Sequence, residues 1–225
     1  MKKHIPNFIT CLNLVTGALG CITILQGDFH LAIYFVIVSG LFDFMDGFAA
    51  RILGVQSAIG KELDSLADMI SFGLLPALYM VMLIRDQEPT NEYLAFSGLL
   101  IVVFSAIRLA RFNIDDRQTD HFIGLPTPAN TVLITSLTFL PAAFQLSILG
   151  LLIFTVVSSL LLVANLPLIA LKFKGVSWAA NKWKYLLMMV VIGLLAALQD
   201  AALPLIIPVY LVISIVGNLS TRSSV

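Results

Sequence analysis

Residues 43–68 have the sequence DFMDGFAARILGVQSAIGKELDSLAD, which places four aspartates at the ends of two strongly apolar stretches. Asp43 and Asp46 come at the end of the first stretch, and Asp64 and Asp68 come at the start of the second. Residues three or four apart share one face of an α-helix. Since helices joined by a short turn are antiparallel neighbours, we predict that the four carboxylates line one small volume.

The composition of the whole chain indicates an integral membrane protein. Of its 225 residues, 59% are hydrophobic and 12% are charged, whereas a soluble domain is about 45–50% apolar and about 25% charged. This composition excludes a soluble enzyme and a disordered chain. The formal net charge is zero, so no basic field is present to attract a nucleic acid. Cys11 and Cys21 both lie in apolar sequence and do not indicate a disulfide framework.

The apolar stretches predict an all-α, polytopic membrane helix bundle with about eight transmembrane helices. A helix needs roughly 20 apolar residues to cross the hydrocarbon core. The uncharged sequence after residue 121 is too long for one helix, and Pro141 and Gln145 divide it. The last two helices are short and form a tilted hairpin around Gln199 and Asp200. The predicted crossings are 7–25, 31–52, 61–84, 94–112, 127–146, 148–171, 184–199 and 201–218.

The distribution of basic residues predicts the orientation, because Lys and Arg collect in cytoplasmic loops. With the N-terminus inside, Arg85 is the one basic residue of thirteen on the outer side. We therefore expect a multi-pass protein of the cell (inner) membrane with both termini and the four aspartates on the cytoplasmic side. The chain, 1–225, is expected to be one membrane domain. Asn7 and Asn13 interrupt the first apolar stretch, so we expect that stretch to be retained as a helix and not cleaved as a signal.

Energy favours a metal site over isolated acids. An aspartate at mid-membrane costs about 2.5–3.5 kcal/mol, and Arg51 and Lys61 neutralise at most two of the four. Carboxylate oxygens in this number suit Mg²⁺ or Mn²⁺, and two pairs fit two divalent cations. The alternative is that the acids are loop residues beside shortened spans. Against it, apolar residues such as Phe44 and Leu66 alternate with the acids, as on a helix with one polar face.

The spacing of residues 43–68 also resembles a family signature. It can be written Asp43-x2-Asp46-Gly47-x2-Ala50-Arg51-x8-Gly60-x3-Asp64-x3-Asp68, and it is similar to the signature of the CDP-alcohol phosphatidyltransferases at every fixed position. The resemblance implies a membrane core of six helices, here with two more, and usually a homodimer. It also implies a reaction in which the hydroxyl of a second alcohol displaces CMP from a CDP-alcohol, usually CDP-diacylglycerol.

The resemblance further implies roles for individual residues. Those expected to hold metal are Asp43, Asp46, Asp64 and Asp68, and Asp68 is also the expected general base for the incoming hydroxyl. Those expected to contact CDP-diacylglycerol are Asn7, Thr10, Gly47, Ala50, Arg51, Ser57 and Gly60. Five of the latter have a simpler interpretation: Gly47 and Gly60 as packing positions between helices, Arg51 as an anchor to headgroups, Ser57 as a turn residue, and Asn7 as a helix cap.

Three further segments, 64–73, 108–113 and 124–129, resemble the branch of this family that uses L-serine as the acceptor. Arg108 and Arg111 lie three apart, and they would receive the serine carboxylate, a lipid phosphate or anionic headgroups. Asn113 would bind the amino acid or cap its helix. The alternative acceptors are glycerol 3-phosphate and an inositol phosphate.

A divalent-cation transporter is the alternative outside the enzymes, since it would also place carboxylates in a membrane core. A transporter needs a polar path to both faces. The outer halves of the second and third spans, 31–39 and 74–84, offer almost no polar residues. The sequence therefore favours the enzyme.

Overall fold

The computed structural model describes residues 4–55, 57–114, 121–169 and 178–222, which form ten α-helices and one small sheet. The helices are α1 (Ile5–Leu25), α2 (Phe29–Leu53), α3 (Ala58–Asp68), α4 (Leu75–Gln87), α5 (Glu92–Ala95), α6 (Leu100–Ile114), α7 (Thr127–Thr135), α8 (Ile148–Val163), α9 (Trp178–Leu198) and α10 (Leu203–Arg222). A π-helix (Met69–Leu74) joins α3 to α4. Short 3₁₀ segments lie at Phe96–Leu99, Ser136–Phe139, Ala142–Phe144 and Gln199–Ala202.

The all-α membrane bundle predicted from the sequence is confirmed. Among the described residues, five helical stretches are long and apolar enough to span a membrane, and α8 is a shorter apolar helix. The five stretches are Ile5–Leu25, Phe29–Leu53, Ala58–Gln87, Glu92–Ile114 and Asn181–Leu219. The last stretch contains two helices, α9 and α10. They pack side by side, since a Cβ added at Gly217 on α10 would lie 3.1 Å from the indole of Trp183 on α9. The chain therefore folds back between α9 and α10, and eight crossings stay a prediction.

Two predicted spans were too long. The span 127–146 contains α7, which ends at Thr135 and is followed by 3₁₀ turns. Leu140 is extended, because the residue before a proline is disfavoured in the helical region. The span 148–171 also ends early: α8 stops at Val163, Ala164 is extended, and Pro167 begins a strand.

The strands, β1 (His121–Ile123) and β2 (Pro167–Ile169), were not predicted. They pair antiparallel, with Phe122 opposite Leu168. The turn after β1 needs a glycine, since Gly124 has a φ of +80° and a Cβ there would lie 2.6 Å from the carbonyl oxygen of Leu162. The strand pair thereby holds the start of α7 against the end of α8.

The continuous helix formed by α3, the π-helix and α4 lies at the centre of the bundle. It is 67% buried along its apolar window, against 11–39% for the other four stretches. α1 runs parallel to it, with Gly17 against Ser71 and Gly20 against Leu75. α2 runs antiparallel to α1, since Thr16 and Ser39 are joined by a hydrogen bond of 2.8 Å between their hydroxyl oxygens.

The π-helix begins directly after Asp68. π-Helical turns occur frequently at functional sites. Here two side chains from neighbouring helices complete the wide turn: Thr131 Oγ1 donates to the Phe72 carbonyl oxygen at 3.1 Å, and Asn13 Oδ1 accepts from Ser71 Oγ at 2.7 Å. The π-helix thus connects α1 and α7 to the segment that carries Asp68.

We expect Gly17→Ala to destabilise the protein. A Cβ at position 17 would lie 2.3 Å from Ser71 Oγ and 2.8 Å from Ser71 Cα, and such overpacking typically costs about 1–3 kcal/mol. The thermal unfolding midpoint of the purified protein in detergent should fall by several degrees.

Gly40→Ala is the matched control, because a Cβ at Gly40 would meet no described atom within 4 Å. Alanine is favoured over glycine inside a helix by about 1 kcal/mol, so this midpoint should stay or rise. An equal fall for both variants would contradict the close contact between α1 and the π-helix.

Candidate active site

Three of the four predicted acids converge. Asp43 on α2 and Asp64 and Asp68 on α3 have carboxylate oxygens that all lie within 4.8 Å of one another. Asp68 is 9% exposed. Asp64 Oδ1 is buried and has no hydrogen-bond partner among the described residues. Three hard oxygen ligands at this separation fit a divalent cation such as Mg²⁺ or Mn²⁺.

Asp46 lies beside this three-acid group and is not a member of it. Its Oδ2 accepts a hydrogen bond of 2.6 Å from Thr10 Oγ1 on α1, and Asp46 itself is buried. Thr10 was predicted to contact the nucleotide lipid; the structure shows its hydroxyl within reach of Asp46 and of the Pro6 carbonyl oxygen. Spacing along α2 could not show this contact, because it depends on the position of α1.

Asp68 has a partner that the sequence analysis did not single out. Asn13 Nδ2 donates to Asp68 Oδ1 at 3.2 Å, and Asn13 is completely buried. An asparagine within an apolar span was the available signal, since polar side chains in such spans usually hydrogen-bond to another helix. Ser71, which donates to Asn13 Oδ1, was likewise missed.

A cavity of about 530 Å³ opens beside the acids. This volume is in the range of small-molecule sites, about 300–1,000 Å³. Of the seven residues predicted to contact CDP-diacylglycerol, six line it: Asn7, Thr10, Gly47, Ala50, Ser57 and Gly60. The remaining lining residues are Pro6, Asp46, Val55, Ala58, Lys61 and Asp64. Lys61 is therefore a cation at this cavity that the predicted binding set omitted.

The two signature glycines keep this cavity open. A Cβ at Gly47 would have Arg51 Nη1, at 3.5 Å, as its nearest described atom. A Cβ at Gly60 would lie 3.0 Å from Ser57 Oγ and 3.1 Å from Asn7 Oδ1. Neither glycine therefore lies at a backbone contact between helices in the described part of the chain, which favours the interpretation that they make room for a ligand.

The simpler interpretations of Ser57 as a turn residue and of Asn7 as a helix cap can be compared with the structure. Ser57 caps α3, since its Oγ accepts from the Gly60 amide at 3.1 Å, and it lines the cavity as well. Asn7 is not the cap of α1, which begins at Ile5 after His4. Arg51 is exposed at the end of α2, one turn after Gly47.

Arg108 and Arg111 have different surroundings. Arg108 is 7% exposed, its Nε donates to the Leu125 carbonyl oxygen at 3.1 Å, and its charge interacts with that of Asp68. Arg111 is exposed and lies 3.5 Å from the Val163 carbonyl oxygen. The buried guanidinium is thus the one whose charge is close enough to interact with that of Asp68.

Asn113 links α6 to α3. Its Nδ2 donates to Ser65 Oγ at 2.8 Å, and its carbonyl oxygen accepts from Lys61 Nζ at 2.7 Å. Its amide is therefore engaged within the protein.

Further polar groups without partners lie on the helices that flank the π-helix. Ser105 on α6 and Thr127 and Asn130 on α7 are fully buried, and their side-chain polar atoms have no partner among the described residues. Leaving such a group unpaired costs about 1–3 kcal/mol. These side chains therefore keep unused hydrogen-bonding capacity inside the bundle.

Comparison with known proteins shows the family to which the chain belongs. A sequence model of the CDP-alcohol phosphatidyltransferases matches residues 3–171, more than half of the chain. The chain belongs to the CDP-alcohol phosphatidyltransferase family. The matched range contains all four aspartates and ends where the sixth predicted span ends, so the α9–α10 hairpin lies outside it. The chain is thus a membrane-embedded transferase of phospholipid biosynthesis, and enzymes of this family depend on metal ions.

Individual family members match over long stretches. A CDP-diacylglycerol–serine O-phosphatidyltransferase of Bacillus subtilis is 35% identical over 157 residues, which cover 66% of this chain and 84% of that protein. One from Helicobacter pylori (strain J99) is 31% identical over 228 residues, 94% of this chain and 89% of that protein. An archaetidylserine synthase of Methanothermobacter thermautotrophicus is 34% identical over 134 residues, 59% of this chain and 56% of that protein. The Helicobacter alignment is long enough to include most of the α9–α10 hairpin.

The three-acid group predicts an unusual effect on stability. Asp43→Asn removes one of three negative charges within 4.8 Å of one another, so it should relieve repulsion. In EDTA the unfolding midpoint should rise, by about 2–4 °C for each kcal/mol of repulsion removed. The additional stabilisation by Mg²⁺ should shrink.

Asp28→Asn is the control at the opposite end of α2. Asp28 caps that helix by accepting from the Leu31 amide, and asparagine caps about equally well, so the midpoint should not move. A loss of stability in EDTA for Asp43→Asn alone would contradict repulsion within the three-acid group.

Proposed function

We propose that this chain is a phosphatidylserine synthase, which transfers the phosphatidyl group from CDP-diacylglycerol to the hydroxyl of L-serine and releases CMP. The observation that carries the proposal is the three-acid group beside a cavity lined by the residues expected to bind the nucleotide lipid. The names of the Bacillus and Helicobacter relatives support serine as the acceptor.

The nucleotide end of CDP-diacylglycerol binds in the cavity. Gly47, Ala50 and Gly60 leave space along α2 and α3, and Asn7 and Ser57 offer polar atoms at its wall. The diphosphate lies at the acids, with Arg51 and Lys61 as nearby positive charges. The acyl chains remain in the bilayer, because the outward residues of α2, such as Phe44 and Phe48, are exposed and apolar.

Two divalent cations, Mg²⁺ or Mn²⁺, complete the site. The residues that would hold them are Asp43, Asp46, Asp64 and Asp68. When bound, such cations neutralise the diphosphate and stabilise the charge that develops on the leaving CMP.

Asp68 is the proposed general base. It takes the proton of the serine hydroxyl while that oxygen forms a bond to the phosphorus attached to diacylglycerol. The bond from this phosphorus to the CMP oxygen breaks, in line with the attack. Because a carboxylate is a weak base for an alcohol, much of the acceleration comes from orientation, which makes the hydrogen bond from Asn13 to Asp68 relevant to the rate.

Arg108 is the proposed ligand of the serine carboxylate. Arginine binds a carboxylate through two parallel hydrogen bonds, and this one is buried and interacts with Asp68. A phosphorylated acceptor carries more negative charge and would require additional cations beside the site. Arg111, which is exposed, instead suits anionic headgroups.

We further propose a homodimer in the cell membrane with the site and both termini on the cytoplasmic side. Arg51, Lys61, Arg108 and Arg111 lie at the end of the bundle that holds the acids, which supports this orientation under the positive-inside rule. The basic residues Lys2, Lys3, Arg117, Lys172 and Lys174, used in the same prediction, lie outside the described residues.

The acceptor can be identified by release of CMP. Purified protein with CDP-diacylglycerol and Mg²⁺ should release CMP with L-serine and not with glycerol 3-phosphate or inositol phosphate. Asp68→Asn should abolish release, and Asp28→Asn, at the opposite end of the bundle, should retain it. Release with a phosphorylated acceptor alone would contradict serine, and divalent-cation flux into vesicles without any CMP release would indicate a transporter.

Substitution of Arg108 and of Arg111 should have different effects on the KM for serine. Arg108→Lys keeps the charge but loses the two parallel hydrogen bonds, and one hydrogen bond to a charged group contributes about 1.5–3 kcal/mol. We expect the KM for serine to rise about 10–100-fold with little change in the KM for CDP-diacylglycerol. Arg111→Lys should leave both constants nearly unchanged. The reverse pattern would exclude Arg108 as the carboxylate ligand.

A further inference from the structure

α1 presents two hydrogen-bond donors, three residues apart, to acids on two different helices. Thr10 Oγ1 lies 2.6 Å from Asp46 Oδ2 on α2, and Asn13 Nδ2 lies 3.2 Å from Asp68 Oδ1 on α3. Residues at this spacing share one helix face. The same face of α1 therefore contacts both acid pairs.

We propose that Asn13, held in place by Ser71, is a positioning residue for Asp68. The Asn13 amide engages one carboxylate oxygen, which fixes the orientation of the carboxylate and leaves the other oxygen to take the proton of the acceptor hydroxyl. This inference rests on the proposed role of Asp68 as general base.

Ser71 holds the Asn13 amide in one orientation. Ser71 Oγ lies 2.7 Å from Asn13 Oδ1 and 3.1 Å from the Asn13 carbonyl oxygen. The ionised carboxylate of Asp68 can only accept, so it takes the amide nitrogen of Asn13. The amide oxygen then faces Ser71 and accepts from its hydroxyl, which holds the amide in this orientation. The hydrogen-bond network thus assigns the orientation of the amide.

The fold brings these residues together by close packing. Ser71 lies in the π-helix that starts directly after Asp68, and Gly17, one turn beyond Asn13, lets its backbone approach α1. Asn13 and Ser71 are both fully buried. Hydrogen bonds in such a low-dielectric place are stronger than in water, so the pair holds Asp68 firmly.

The alternative is that Asn13 and Ser71 only join α1 to the central helix, as polar residues do between membrane helices. The two interpretations differ in what they predict for catalysis. A purely structural pair affects stability and leaves kcat unchanged. A positioning pair lowers kcat in the folded protein, with little effect on the KM for either substrate.

The test measures kcat and both KM values for Asn13→Ala, Ser71→Ala and the double variant. Loss of an outer hydrogen-bond partner at a metal site typically lowers activity 10–100-fold, and we expect such a fall in kcat for Asn13→Ala. Ser71→Ala should show a smaller fall. Since Ser71 acts through Asn13, the double variant should be no slower than Asn13→Ala. Independent, multiplying effects would overturn the proposal.

Ser39→Ala is the matched control, because Ser39 on α2 makes a similar buried hydrogen bond to α1, through Thr16, away from the acids. It should keep kcat while lowering the unfolding midpoint.

Asn13→Ala should also keep its stabilisation by Mg²⁺, since Asp43, Asp64 and Asp68 are unchanged. An unchanged kcat with a lowered midpoint would show a structural role only. If Asn13→Ala does not fold, Ser71→Ala decides: an unchanged kcat overturns the proposal.

Asp68→Asn separates the proposed role of Asp68 as base from the proposed positioning role of Asn13. If it retains turnover, the role of Asp68 as base fails, whatever Asn13 does. If it is inactive while Asn13→Ala has full kcat, the positioning role fails and the proposed function stands.

Discussion

Carboxylates held close together within membrane-spanning helices repel one another, and the elements around them must offset that repulsion. Asp43, Asp64 and Asp68 bring oxygens within 4.8 Å of one another, although a single buried charge is already costly in such a place. The surrounding elements hold the acids in place. α1 donates hydrogen bonds to Asp46 and Asp68, and the short turn between α2 and α3 brings the two acid-bearing helices side by side. A site built in this way is suited to cations and to the diphosphate that cations bind.

Local patterns predicted much of the candidate site. The spacing of the acids and the short turn between their helices are enough to bring Asp43 near Asp64 and Asp68, because helix periodicity and chain connectivity determine that geometry. Gly47, Ala50 and Gly60, which line the cavity, were expected there because of the resemblance to the family signature. Both inferences needed no knowledge of the other helices.

Non-local packing determined what the sequence could not show. Asn13 and Ser71 become partners only because α1 lies along the π-helix, and that wide turn has no simple sequence pattern. Arg108 and Arg111 lie on the same helix three residues apart, yet Arg108 is buried beside Leu125 and Arg111 is exposed. The end of α7 at Thr135 and the pairing of β1 with β2 were likewise not predicted.

The hairpin outside the matched family range is connected to the same site. Tyr210 on α10 donates to the Ile169 carbonyl oxygen on β2 at 3.0 Å, and β2 pairs with β1. The chain then continues to Leu125, whose carbonyl oxygen holds Arg108. A series of direct contacts thus links the last helix to the guanidinium beside Asp68.

Anomalous diffraction at the manganese edge, from crystals grown with Mn²⁺, would locate the bound cations. Manganese peaks should lie within direct coordination distance of the carboxylates of Asp43, Asp64 and Asp68, with Asp46 at the edge of the same site. Absence of manganese from these oxygens, in crystals of protein that is active with Mn²⁺, would exclude the three-acid group as the metal site.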